Sequence, residues 1–135
     1  MLTSLEIAEL AVRVLDSKKA KDIRVLETRD ITVLADYFII CTAGSTTQIK
    51  TLADEIGKTL TEKGERVLRT EGYRGGGWVL VDFGALVVHI FLKDIREFYS
   101  LERLWRDARE VDISNWVVDD APVKVAGAIP STPQP

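Results

Sequence analysis

One α/β domain, a mixed sheet of about five strands with helices packed on it, is the fold class that this chain predicts. Segments with a helical period alternate with strand-length runs, in the order helix, strand, strand, helix, strand, strand, strand, helix. A helix between strands permits parallel pairing and a closing hairpin adds antiparallel pairing. A mixed sheet is therefore favoured over a purely parallel, doubly wound one. The chain has 135 residues, 46% apolar and 29% charged, the length of one ordinary domain. At that length about two thirds of the unfolded surface can be buried without staples.

The elements follow from local pattern. Thr3 and Glu6 have capping-box spacing, and Leu5, Ala8, Val12 and Leu15 line one face of a first helix. Lys18, Lys19 and Lys21 then place positive charge where that helix would end. Ile23 to Glu27 and Asp36 to Thr42 read as strands separated by a polar interruption, Arg29 to Thr32. Ser45 and Gln48 form a second capping box ahead of Ile49, Leu52, Ala53, Ile56 and Leu60, with Gly64 just past the helix end. Arg66 to Thr70 is a weaker strand candidate, and Gly72 to Gly77 a flexible turn. Trp78 to Phe83 and Ala85 to Leu92 pivot at Gly84 as a hairpin. A two-residue turn there sets Asp82 opposite Val87, Leu80 opposite His89 and Trp78 opposite Phe91. Asp94 and Glu97 can cap a third helix carrying Ile95, Phe98, Leu101, Leu104 and Trp105, unless Ser100 breaks it and caps a shorter one. The domain is expected over residues 1–112. All four prolines lie between Pro122 and Pro135, so 113–135 is expected to be a flexible tail.

Composition narrows the function. Eighteen basic and twenty-one acidic residues give a net charge of −3, which argues against a domain held on nucleic acid by overall positive charge. Cys41 is the only cysteine, so an internal disulfide is excluded and a cysteine-based zinc site disfavoured. Glu6, Glu9 and Arg13 interrupt the N-terminal apolar stretch, as neither a signal peptide nor a membrane span allows. A cytoplasmic protein without a membrane partner is expected.

Four motifs invite chemistry. Gly75-Gly76-Gly77 runs into the strand residues Trp78-Val79-Leu80 with no lysine after it, so it reads as a turn and not as a phosphate loop. Thr42 to Gln48, TAGSTTQ, joins a strand end to a helix start and could offer free N–H groups to an anion. The same Gly44-Ser45 pattern opens nucleotidyltransferase sites, but the paired carboxylates that hold magnesium there are missing from the next strand. Trp78, Asp82 and His89 should share one face of the hairpin, with Asp82 and His89 as diagonal neighbours. A carboxylate so placed can orient and charge an imidazole, although with no nucleophile beside them a structural or partner-binding pair is favoured over catalysis. The densest signal is Arg96 to Trp105, REFYSLERLW. It is either an amphipathic helix closing the core or a docking surface rich in the Trp, Tyr and Arg that dominate interface hot spots.

Taken together, DYFIICTAGSTTQ, EGYRGGGWVLVDFGALVVHIF and REFYSLERLW resemble the ribosomal silencing factor (Iojap) family, over about Leu5 to Ala108. The resemblance implies a nucleotidyltransferase-like fold without that chemistry, no cofactor or metal, and no catalytic residue. It implies binding to the large ribosomal subunit through ribosomal protein L-fourteen, which blocks joining of the small subunit and lowers translation under nutrient limitation. It also implies a homodimer when free, and no sequence-specific nucleic acid partner. By matching motif, Trp78, Asp82, Tyr99, Leu101, Glu102 and Trp105 are expected in or beside the docking face. Asp36, Tyr37, Ser45, Glu71, Gly72, His89, Arg96 and Leu104 are expected as supporting positions. Phe83 and Ala85 depart from the family, whose members often carry Tyr and Asp there. Two alternatives stay open: an assembly factor using the same surface, and a degenerate nucleotidyltransferase-like enzyme with a nucleotide at Ser45.

Overall fold

Thr3 starts the chain's first helix as the spacing requires: its Oγ1 accepts the Glu6 N–H at 3.1 Å, and Glu6 Oε1 accepts the Thr3 N–H at 2.8 Å. The computed structural model describes residues 2–74, 77–99 and 108–118, with residues 97–99 described by backbone alone. The elements are α1 (Ser4–Ser17), β1 (Lys21–Glu27), β2 (Tyr37–Ala43), α2 (Thr46–Glu62), β3 (Arg69–Glu71), β4 (Trp78–Asp82), β5 (Leu86–Leu92), α3 (Lys93–Tyr99) and β6 (Arg109–Val111). They form a mixed sheet in the order β3-β4-β5-β2-β1-β6. The central pair, β2 with β5, is parallel and the others are antiparallel.

The sheet has six strands where about five were expected. The addition is β6, which pairs Val25 with Val111 and Glu27 with Arg109 along the outer edge of β1. An Arg24–Glu110 ion pair crosses the two strands. The folded body also continues past the boundary expected at Asp112. Trp116 is 1% exposed and Ile113 and Val117 pack on the same core. Arg13 Nη2 donates to the Asn115 carbonyl at 3.4 Å, and Asp16 Oδ2 accepts the Val118 N–H at 3.0 Å. Apolar burial and α1 hold this segment. Residues 119–135 lie outside the described residues.

Strand alternation divides the side chains between two faces. Val25, Ile39, Cys41, Val79, Val81, Val88 and Ile90 face α1 and α2 and join Ala8, Val12, Leu15, Leu52, Ile56 and Leu60 in the main core. Full burial of residues such as Leu52, Ile56 and Leu60 contributes roughly 2 kcal/mol each. On the opposite face, Leu26, Ile40 and Phe91 pack with Trp78, Ile95 and Ala108, and Phe38, Val87 and Leu80 with Ala35. No helix among the described residues is long and apolar enough to cross a membrane.

The α2 cap differs from the expected box in one respect. Ser45 Oγ accepts the Gln48 N–H at 3.1 Å, but Gln48 Oε1 accepts from Gly44 N–H at 2.6 Å, not from Ser45. The Gln48 amide nitrogen donates to the Lys18 and Lys19 carbonyls, both at 3.1 Å. One side chain therefore ties the start of α2 to the end of α1, where Lys19 sits at φ +71°. The Gly44 and Gln48 N–H groups in this stretch are already engaged within the chain.

Candidate functional site

The β4–β5 hairpin has the register that the Gly84-Ala85 turn demands. Trp78 faces Phe91, Leu80 faces His89, and Asp82 faces Val87. Gly84 takes φ +90°, and Phe83 N–H donates to the Leu86 carbonyl at 2.8 Å. Trp78, Leu80, Asp82, Val87, His89 and Phe91 thus share the sheet face away from α1 and α2, together with Phe38 and Ile40 from the parallel neighbour.

An aromatic ladder runs across that face. Trp78 stacks on Phe91 at a centroid distance of 5.0 Å, and His89 meets Phe38 edge-on at 5.6 Å. Trp78 is half-buried while His89 is 5% exposed. Beside Trp78 opens a notch of about 190 Å³ lined by Glu71, Gly72, Trp78 and Leu80. Gly72 adopts φ +80°, and a Cβ there would stand 2.1 Å from the Trp78 carbonyl oxygen. Only glycine lets the chain pass this close to the strand.

The expected Asp82–His89 pair does not form in the sense of a carboxylate charging an imidazole. Asp82 Oδ1 accepts the Gly84 N–H at 2.8 Å, and Oδ2 lies 3.3 Å from Arg69 Nε. The turn and the edge strand hold the carboxylate, so it is a hairpin clamp with a partly exposed acidic edge. His89 Nδ1 instead accepts from Trp78 Nε1 at 3.1 Å. Accepting there requires an unprotonated Nδ1, and burial pushes the His89 pKa down from 6.5 to about 4. The ring is neutral near neutral pH and unsuited to donate a catalytic proton.

A pH dependence follows. The folded pKa lies below the unfolded one, so between pH 6.5 and about 4 the unfolded chain binds more protons. Stability is therefore expected to fall as pH drops through that window. Each tenfold difference in proton affinity between the folded and unfolded chain is worth about 1.4 kcal/mol, so the loss approaches roughly 3 kcal/mol. His89→Gln keeps an acceptor for Trp78 and does not titrate there. Urea melts at about pH 7 and about pH 4.5 should show a smaller acid loss in that variant than in the parent. Equal losses would mean that His89 is not held neutral by the fold.

The supporting positions serve the frame. Asp36 Oδ2 accepts the Ser4 hydroxyl at 2.6 Å, joining β2 to the start of α1. Tyr37 OH lies 3.4 Å from Glu27 Oε2 and accepts from Arg29 at 3.2 Å, and the Arg29 guanidinium also lies 5.2 Å from the ring centroid. Burial raises the Tyr37 pKa. Ser45 caps α2, and Glu71 pairs with Arg69 at 2.8 Å on the exposed edge strand. Arg96 on α3 donates to the Asp22 carbonyl and to Thr42 Oγ1.

The third helix is shorter in the described residues than its longer expected form. It begins directly after β5 and is described to Tyr99, whose backbone alone is described. Leu101, Glu102, Leu104 and Trp105 lie outside the described residues. Sequence reasoning missed the Trp78–His89 hydrogen bond and the notch against Gly72. A one-residue frame shift would have separated the first pair, so correct register was the available signal. The positive φ of Gly72 was signalled only by the glycine itself.

This face sits in a chain with clear relatives. The family model described as "Ribosomal silencing factor during starvation" matches residues 2–132. The chain is similar to Ribosomal silencing factor RsfS of Halalkalibacterium halodurans, 41% identical over 112 residues, covering 83% of this chain and 96% of the relative. The protein of the same name from Bacillus subtilis is 43% identical over 107 residues, covering 79% and 91%. A crystal structure of a Chromobacterium violaceum protein matches with a TM-score of 0.76 and 34% identity, covering 93% of this chain and 96% of that one. Sequence and fold agree over most of the chain's length, and the chain belongs to the ribosomal silencing factor family.

Proposed function

We propose that this chain binds the large ribosomal subunit through ribosomal protein L-fourteen and occupies the place where the small subunit would dock. Translation is then lowered by steric exclusion, under nutrient limitation, in the cytoplasm. The observation that carries this reading is the half-buried Trp78, seated on a pre-formed aromatic ladder beside the notch that Glu71, Gly72 and Leu80 line with it. A rigid aromatic supplies a desolvated interface centre, and the Glu71 carboxylate beside it, exposed though paired with Arg69, suits a basic ribosomal protein. Tyr99, Leu101, Glu102 and Trp105 would extend the same contact.

A non-catalytic role accords with how the candidate reactive groups are engaged. His89 is neutral and accepts from Trp78, Asp82 is held by Gly84 and Arg69, and the TAGSTTQ donors at Gly44 and Gln48 have partners in the chain. Self-association through the Trp78 face would compete with ribosome binding.

The test is sedimentation of purified small and large subunits, mixed under joining conditions with and without the protein. Loss of joined ribosomes, with the protein travelling on free large subunits, is expected. Travel with large subunits while joining proceeds would replace exclusion by a role in subunit assembly. Failure to sediment with either subunit would overturn the reading and make nucleotide binding at Ser45 the next assay.

A further inference from the structure

One side chain ties the start of α3 back to two strands of the sheet. No loop separates β5 from α3, as Leu92 ends the strand and Lys93 begins the helix. One turn later, Arg96 Nη1 donates to the Asp22 carbonyl at 2.7 Å and to Thr42 Oγ1 at 2.8 Å. These acceptors lie 74 and 54 residues away in the chain. They belong to β1 and β2, where the sheet order places both strands on the far side of β5 from the hairpin. Arg96 therefore spans from the helix across the end of the sheet.

Both acceptors are prepared for it. β1 and β2 lose register between Lys21 and Arg24, and Asp22, inside that irregular stretch, takes φ +49°. Such a bulge frees a residue from regular pairing with the neighbouring strand, and here the Asp22 carbonyl accepts from Arg96. Thr42 is 7% exposed, so its hydroxyl meets the guanidinium in a partly buried contact, while the bond to the Asp22 carbonyl is exposed. Hydrogen bonds from a charged donor are stronger than neutral ones and fix direction as well as distance. On the other flank, Ile95 packs with Leu26, Ile40 and Phe91, and its Cγ1 would stand 3.0 Å from a Cβ at Gly77. The helix is held by a polar latch on one side and by an apolar contact beside Trp78 on the other.

We infer that Arg96, with the Asp22 carbonyl and Thr42 Oγ1, is a positioning latch that aims α3 at the ribosomal partner. The inference rests on the docking reading above. Arg96 need not touch that partner. It sets the angle at which α3 is presented relative to Trp78, so its loss raises the ordering cost of binding.

The test uses Arg96→Ala and Thr42→Val, with Thr42→Ser as the variant that retains the acceptor. Ile56→Val, buried in the α2 core on the opposite face, controls for general destabilisation. Two quantities are measured on the full chain: amide exchange in α3 relative to β2 and β5, and affinity for isolated large subunits. Arg96→Ala and Thr42→Val should each speed α3 exchange about tenfold or more and weaken subunit binding at least about fivefold. Thr42→Ser and Ile56→Val should change neither by more than about twofold. If the parent binds and Arg96→Ala binds equally well, the latch is overturned while the docking reading stands. If α3 exchange is unchanged in both latch variants, the geometry does not hold the helix and the latch is overturned again. If the parent itself does not bind large subunits, the docking reading fails and takes the latch's role in binding with it.

Discussion

Trp116→Ala is expected to cost about 3–5 kcal/mol of folding stability, the range for removing a fully buried large aromatic. The indole is 1% exposed and packs in the same core as Ala8, Val12 and Leu15. A loss of that size is a large share of the roughly 5–15 kcal/mol typical of a whole domain. Among the described residues, the Trp116 Nε1–H is buried with no hydrogen-bond partner. Trp116→Phe removes that unpartnered donor along with some volume, so it should cost much less than alanine. Urea melts followed by far-ultraviolet dichroism would give both values. A cost under about 1 kcal/mol for the alanine variant would mean that residues 113–118 lie outside the cooperative unit.

The second large effect concerns binding. Trp78→Ala should weaken association with large subunits by at least about 2 kcal/mol, or roughly 30-fold. The substitution removes the exposed aromatic surface and the stack on Phe91 together, and it leaves His89 Nδ1 without its donor. Trp78→Phe tests the polar part, because it keeps a ring over Phe91 while losing the donated hydrogen bond and part of the indole surface. Affinity measured on folded protein, with stability checked in parallel, decides the matter. An alanine variant that is folded and binds as tightly as the parent removes Trp78 from the docking face.

The periodic elements were legible in the chain because each is specified locally. Thr3 and Glu6 close their box within one turn, and Gly84 with Ala85 determines the pairing of every residue in the hairpin. From that register it followed that Trp78, Asp82 and His89 share a face. What the register could not convey was which neighbour each polar atom would choose. Asp82 found the Gly84 N–H two residues away, a local donor that prevails over a diagonal histidine. Gln48 went to Gly44 and to the end of α1, a choice that depends on two helices meeting.

The stretch from Arg109 to Val118 was illegible for a different reason. β6 is only Arg-Glu-Val, with one apolar residue and two charges, and its strand character comes from the edge of β1 to which it adds. No helical or strand period marks Trp116 as core, yet its side chain is buried with residues of α1. Long-range packing decided both, and propensity held no trace of it. Leu101, Glu102 and Trp105 were legible as a motif by resemblance and by aromatic density alone.

The parallel pairing of β2 with β5 has a consequence for how the molecule comes into being. Tyr37 pairs with Leu86 and Ala43 with Leu92, a separation of 49 residues along the whole ladder. The hairpin of β4 and β5 closes over two residues and the antiparallel pair of β1 and β2 over a short connection, so both are local contacts in the chain. Joining those two halves requires closure of the long intervening loop through α2, an entropic cost met before the central contacts offset it. During synthesis the fully buried strand β2 leaves the exit tunnel well before its parallel partner exists. Until Leu92 has emerged, the β2 edge that β5 will cover has no native strand to pair with, and an unpaired strand edge favours misassociation.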